Sequence, residues 1–301
     1  MQNRQDAPIG IFDSGVGGLT VAEEVMRQLP NEKIVYFGDT ARVPYGSKSK
    51  DTIIKFSKQI IRYLRTWDVK AIVVACNTAS ALALSEIKEE LDIPIVGVIE
   101  PGAKVASEMT KNGKIGIIGT EGTINSHIHT KLIKEHKPTY QVTERACPLF
   151  VPLVEEGFFL DTNVTYEIAG KYLEVMKENE VDTLILGCTH YPFLRDTIRK
   201  IMGPEVNLVN PAYETARELK KMLSELGLAA SAEATAGNGA GVTADLKAAE
   251  ASSRMLSTQT SVGTGMHRFC VSDGADKVAH FAKERFPFPV ENVMQVNIEE
   301  Y

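Results

Sequence analysis

The chain has 301 residues, which at roughly 150 residues per domain suggests two domains. Hydrophobic residues make up 44% and charged residues 24%, a balance that excludes a disordered or fibrous chain. Lys and Arg total 33 against 39 Asp and Glu, a net charge of -6, which argues against nucleic acid or an anionic membrane as a direct partner. No apolar run approaches the roughly 18 residues of a membrane span, and Met1–Asp6 lacks the layout of a signal peptide. Four scattered cysteines, Cys76, Cys147, Cys188 and Cys270, do not make a disulfide framework. The expectation is a soluble, cytoplasmic α/β protein with free thiols.

Short apolar runs predict strands at Ile9–Phe12, Lys33–Phe37, Ala71–Ala75, Ile95–Ile99, Lys114–Ile118, Thr183–Leu186, Asn207–Val209 and Arg268–Val271. Between them apolar residues recur at helical spacing. Leu19/Ala22/Val25/Met26/Leu29 is closed by Pro30, and Ile53/Ser57/Ile60/Ile61/Leu64 and Val164/Ile168/Tyr172/Val175/Met176 repeat the pattern. Asn210-Pro211 fits a helix N-cap followed by proline in the first turn. Strands that are apolar throughout and separated by helices predict parallel sheets covered on both faces. Residues 229–265 break the rhythm: 25 of these 37 residues are Ala, Gly, Ser or Thr. They read as a low-complexity insertion, a loop by composition with a weak helix as the alternative around Asp245–Leu256.

An internal repeat links the two ends of this pattern. Ile9-Gly-Ile-Phe-Asp-Ser-Gly15 is echoed by Ile115-Gly-Ile-Ile-Gly-Thr120, and Val73-Val-Ala-Cys-Asn-Thr78 by Ile185-Leu-Gly-Cys-Thr-His190. Two similar α/β halves facing each other would bring Cys76 and Cys188 into one cleft.

The glycine turn Asp13-Ser-Gly-Val-Gly-Gly18 follows a strand and opens a helix, and Asp39 lies where a ribose-binding acid would. The dinucleotide fingerprint nevertheless fails at its third glycine, which is Thr20, and a phosphate-binding lysine is absent because Val16 follows Gly15. That counts against a nicotinamide-dependent dehydrogenase. What remains is a helix N-terminus whose N–H groups suit an anion such as a carboxylate. Asp13 itself is either a helix cap or an acid pointing into the crevice.

Cys76 and Cys188 each follow an apolar strand and precede a helix, a position that lowers a thiol's pKa and favours thiolate. Asn77-Thr78 and Thr189-His190 beside them offer donors for a carboxylate. Cys147 and Cys270 lack such a context and read as structural. His190 is the one histidine with a chemical neighbour, and is suited to stabilising a thiolate or passing a proton. His127-x-His129 does not share a helix face and is a poor metal pair. His136, His267 and His280 read as surface or packing residues. The loop Asp39–Gly46 ends in a Pro-Tyr-Gly turn that approaches a ligand through its backbone. Glu155 is either a solvated helix end or a second acid.

Phe12–Thr20, Gly38–Gly46, Ala75-Cys-Asn-Thr-Ala79 and Gly187-Cys-Thr-His-Tyr-Pro192, in this order, closely resemble the glutamate racemases of the aspartate/glutamate racemase family. The resemblance covers about 7–228 and resumes at 267–301. It implies two α/β/α sandwich domains with mainly parallel sheets, related by a pseudo-two-fold, with the active site in the cleft between them. The first would hold 1–99 plus 210–228 and 266–301, the second 100–209, with 229–265 as the insertion. It implies cofactor-independent interconversion of L- and D-glutamate, without a metal, by two catalytic cysteines, and D-glutamate for peptidoglycan. Cys76 would act on D-glutamate and Cys188 on L-glutamate, with Asp13 assisting the first and His190 and Glu155 the second. Substrate contacts would fall to Asp13, Ser14, Tyr45, Gly46, Asn77, Thr78, Thr189 and His190. A homodimer is the implied assembly. Aspartate racemase is the alternative substrate reading, and some members of the family bind DNA gyrase, a non-catalytic role that no surface in this sequence marks.

Overall fold

In the computed structural model, which describes residues 4–159, 163–230, 267–290 and 292–301, the strands form two sheets, parallel in every pairing. The first contains β1 (Ile9–Asp13), β2 (Ile34–Gly38), β3 (Ala71–Val74) and β4 (Ile95–Gly97), then β9 (Arg268–Val271) and β10 (Met294–Gln295) from the end of the chain. Its order is β10-β9-β2-β1-β3-β4. The second contains β5 (Lys114–Gly119), β6 (Gln141–Ala146), β7 (Thr183–Gly187) and β8 (Asn207–Val209) in the order β6-β5-β7-β8. Helices cover both. Around the first sheet run α1 (Leu19–Gln28), α2 (Lys50–Arg65), α3 (Asn77–Leu82) and α4 (Leu84–Glu90). The second is accompanied by α5 (Ile99–Met109), α6 (Glu121–Asn125), α7 (Ile128–His136), α8 (Phe150–Glu155), α9 (Asn163–Glu178) and α10 (Arg195–Met202). Next come α11 (Pro211–Glu225), packed against both α1 and α5, and α12 (Ala275–Arg285).

The two sheets are built alike. β1 pairs with β3 with Phe12 opposite Val74, and β5 pairs with β7 with Gly119 opposite Gly187. The strand preceding each glycine turn therefore lies beside the strand that ends in cysteine, as the internal repeat requires. Central strands β1, β2, β3 and β7 are buried at every residue, which is why each is apolar on both faces.

All eight expected strands are present, and two more appear. β6 is an edge strand whose residues are exposed or half-buried, so no apolar run announces it. β10 is a two-residue edge. Ile99, expected to end β4, instead opens α5. Asn210 caps α11 by accepting the N–H of Ala212. In α9 the buried face is Thr165/Ala169/Leu173/Met176, and Val164 is exposed. The apolar stripe Val164/Ile168/Tyr172/Val175 thus runs beside the buried face rather than along it. Of the insertion 229–265, only Ala229 and Ala230 belong to the described residues; the rest, including the helix alternative at Asp245–Leu256, lies outside them.

The one fully buried lysine among the described residues is Lys70, which leads into β3, and its ammonium pairs with Glu32 at 2.5 Å and donates to the Gln5 carbonyl at 2.6 Å. The other oxygen of Glu32 accepts the N–H of Ala230 at 2.8 Å. Removing one partner of a buried pair leaves an uncompensated charge, so Glu32→Ala should cost about 3–5 kcal/mol in urea denaturation. Adding Lys70→Met should recover part of that loss.

Candidate active site

A small cavity lies between the sheets, walled by turns at the carboxyl ends of their strands, the position expected for ligands of open parallel sheets. Ser14 follows β1, Val43–Gly46 follow β2, and Cys76, Asn77 and Thr78 follow β3. From the other sheet come Thr120 after β5, Val151 of α8, and Cys188, Thr189 and His190 after β7. Both cysteines line the same space and are free thiols.

Asp13 ends β1 behind this wall and is fully buried. Its Oδ2 accepts the N–H groups of Gly15 and Gly18, each at 3.0 Å, and Thr189 Oγ1 lies 3.4 Å from Oδ1. The N–H groups of the glycine turn are therefore met by the protein's own Asp13 side chain, from behind the cavity wall. Burial pushes the Asp13 carboxyl above its ordinary range, against the charge of His190 and the turn's N–H groups.

Cys76 is the N-cap of α3, with the Ala79 N–H 3.5 Å from Sγ. The expected lowering of its pKa does not occur. Burial and the charge of Asp13 push the thiol up to about 12, outweighing the Ala79 N–H and the Ser14 hydroxyl.

The opposite wall is arranged differently. His190 Nδ1 lies 3.9 Å from Cys188 Sγ and its Nε2 lies 3.2 Å from Glu155 Oε1. Burial opposes the charge on this ring, yet hydrogen bonds to Cys188 and Glu155 and their negative charge hold it up at about 10. Burial raises Glu155 too, but His190, with help from Lys277 of α12, brings it below its usual value. At neutral pH His190 is an imidazolium between a sulfur and a carboxylate.

Tyr45 is held by Asp39, which accepts its hydroxyl and the Nε of Arg42. Asp39 thus has a structural partner rather than a ribose. Gly46 is pressed against the other half of the molecule: a Cβ there would stand 2.6 Å from Thr120 Cβ, and its carbonyl accepts the Gly122 N–H at 2.8 Å. Thr78 and Thr120 hydroxyls meet at 2.9 Å across the same boundary. Gly17 has the same role beside the Cys188–His190 turn, since a Cβ there would lie 2.5 Å from Thr189 Oγ1 and 2.6 Å from His190 Nδ1.

Val43, Pro44, Thr120 and Val151 line the cavity without having been expected there. Thr120 carried a signal, because the repeat sets Gly119-Thr120 opposite Asp13-Ser14. Cys147 and Cys270 are buried away from the cavity, where Cys147 Sγ faces the Arg145 carbonyl and Cys270 accepts the Tyr63 hydroxyl at 3.1 Å. His127 pairs with Glu144 at 2.6 Å while His129 is buried, so the two do not meet. Among the described residues no group of three or more His, Cys, Asp or Glu is placed to hold a metal, and no helix is long and apolar enough to cross a membrane.

The sequence model of the Asp/Glu/Hydantoin racemase family matches residues 15–219. The chain belongs to that family. It is 54% identical to the glutamate racemase of Geobacter metallireducens over 71% of this chain and 79% of that one. The structure resembles a glutamate racemase isoform of Bacillus anthracis (TM-score 0.83, 36% identity, 97% of this chain and 98% of that one). It also resembles the glutamate racemase of Francisella tularensis solved with D-glutamate (TM-score 0.82, 33% identity, 99% of this chain and 100% of that one).

Because the His190 pKa is raised from its ordinary 6.5 to about 10, the stability it contributes is fully present below about pH 6.5 and is lost as pH rises through about 10. Its ring resonances in an NMR titration should move near pH 10. Glu155→Gln removes a negative partner and should shift that transition down by about one unit or more.

Proposed function

We propose that the chain is a cofactor-independent glutamate racemase that interconverts L- and D-glutamate through two thiols. The observation that carries this reading is the pair Cys76 and Cys188, which enter one small cavity from equivalent strand ends of the two halves. Racemisation takes a proton from one face of Cα and returns one to the opposite face. A thiolate on one wall removes it and a thiol on the other delivers its own.

Cys188 serves L-glutamate and Cys76 serves D-glutamate. A Cys76 thiol pushed up to about 12 keeps its proton at neutral pH and is the acid for the L-to-D direction. His190, protonated and backed by Glu155, places its positive charge beside Cys188 Sγ, the sulfur that takes the α-proton of L-glutamate. After one such turnover Cys188 bears a proton and Cys76 does not, which is the state D-glutamate requires. Asp13 attends the proton of Cys76 as His190 attends that of Cys188. The hydroxyls and amides of Ser14, Tyr45, Gly46, Asn77, Thr78 and Thr189, with Asp13 and His190 behind them, orient the substrate. Donors of this kind suit two carboxylates and hold the charge that grows on the α-carboxylate as the proton leaves.

Relatives about half identical over most of the chain are glutamate racemases, which supports glutamate over aspartate. The two halves act as domains, 1–99 with 210–228 and 266–301 against 100–209, closing on the substrate. The product supplies peptidoglycan synthesis in the cytoplasm. A homodimer is the proposed assembly; the exposed Leu149, Phe158, Val164 and Tyr166 are its apolar support.

Circular dichroism of purified protein with L-glutamate and no added cofactor should decay to zero. Cys76→Ser and Cys188→Ser should each lose racemisation by roughly a thousandfold, since a serine hydroxyl is a poor base at neutral pH. A glutamate bearing chlorine at Cβ loses HCl after a single α-proton removal and needs only one base. Cys188→Ser should retain elimination from the D-form and Cys76→Ser from the L-form. Full racemisation in either variant would sink the mechanism.

A further inference from the structure

We infer that Tyr36 is the positioning residue of the Cys76 side, its hydroxyl fixing the glycine turn that aims Asp13; this rests on the two-thiol reading above. Tyr36 lies in β2 in register with Ile11 of β1 and Phe269 of β9. Its ring is fully buried and tilted against Phe269 at 6.2 Å, and Phe269 is in turn stacked with Phe288. The ring is thus set in the core, and its hydroxyl reaches the carboxyl end of the sheet, where it donates to the Gly15 carbonyl at 2.5 Å.

The phenol occupies a slot that two glycines leave open. A Cβ on Gly18 would stand 2.8 Å from the phenolic oxygen, and one on Gly38 would stand 3.4 Å from Cε1. Gly15 and Gly18 are also the residues whose N–H groups meet Asp13 Oδ2. The turn is therefore clamped twice, by the phenol on the Gly15 carbonyl and by the carboxylate on the N–H groups. Burial and the charges of Asp13 and Cys76 keep the phenol protonated, so it remains a donor through the working range of pH. Packing alone does not call for a hydroxyl here, since neighbouring Phe37 and Phe269 fill comparable buried positions without one.

Enantiomers have equal free energies, so kcat/KM for racemisation must be the same in both directions in any variant. Racemisation cannot say which side is damaged. Elimination of HCl from each enantiomer of the chlorinated glutamate can, because each uses one sulfur.

In the full chain, Tyr36→Phe should lower kcat for elimination from the D-form about tenfold, the effect of one lost buried hydrogen bond. Elimination from the L-form should stay within about twofold, with KM unchanged for both, as expected when positioning rather than binding is lost. Hydrogen–deuterium exchange at the Gly15 and Gly18 amides should quicken about tenfold, while Ile117 and Ile185 in the second sheet keep their rates. Equal loss with both enantiomers, or an unchanged D-elimination, overturns the role. Cys76→Ser and Cys188→Ser run beside it. If these fail to separate the enantiomers, the two-thiol reading falls on its own, and unchanged exchange at Gly15 and Gly18 then overturns the clamp as well.

Discussion

Between the glycine turn after β1 and the Cys188–His190 turn after β7 there is no room for a methyl group. Gly17 lies against Thr189 and His190, Gly46 lies against Thr120, and across the same seam the Thr20 hydroxyl donates to the Thr189 carbonyl and the Thr189 hydroxyl to Asp13. Two sheets that would otherwise be independent βα units are thereby brought into contact at their carboxyl ends. Every chemical feature of the cleft depends on that approach, since neither half holds both sulfurs. The glycines of the first turn serve close packing between protein surfaces. In a nucleotide-binding fold the same residues would make room for a phosphate.

The approach also sets the electrostatics, and it sets them unequally. On one wall the burial of Cys76, and after it the charge of Asp13, raise the thiol. On the other, an imidazolium sits between Cys188 and Glu155. One sulfur has a buried carboxyl for a neighbour and the other an imidazolium, so the two walls differ in charge. Burial strengthens both effects by removing the water that would screen them.

Much of this is legible before folding. The central strands show themselves because burial on both faces demands unbroken apolar runs, and the repeat marks Cys76 and Cys188 as equivalent. β6 is hidden because an edge strand with polar residues such as Glu144 and Arg145 needs no such run. The α9 stripe misleads because apolar residues flank a buried face made partly of Thr165 and Ala169. Val151, Val43 and Pro44 enter the cavity only through the crossing of the two halves, which no local pattern encodes. The direction of the Cys76 shift is lost for the same reason: the helix N-terminus is local, whereas the burial of the thiol and the nearness of Asp13 come from the fold of β1 beside β3. His190 is marked by its chain neighbour Cys188, whereas nothing local places Glu155 3.2 Å from His190.

The separateness of the two proton carriers is tested most directly by racemising unlabelled L-glutamate in deuterium oxide. With one sulfur removing the α-proton and another supplying solvent-derived deuterium, the D-glutamate formed first should carry deuterium while the remaining L-glutamate stays unlabelled. The return reaction is then slowed by the heavier isotope, and the circular dichroism signal should pass through zero before settling back. Deuterium appearing equally in both enantiomers from the first turnovers, with no crossing of zero, would mean that a single group carries the proton to both faces.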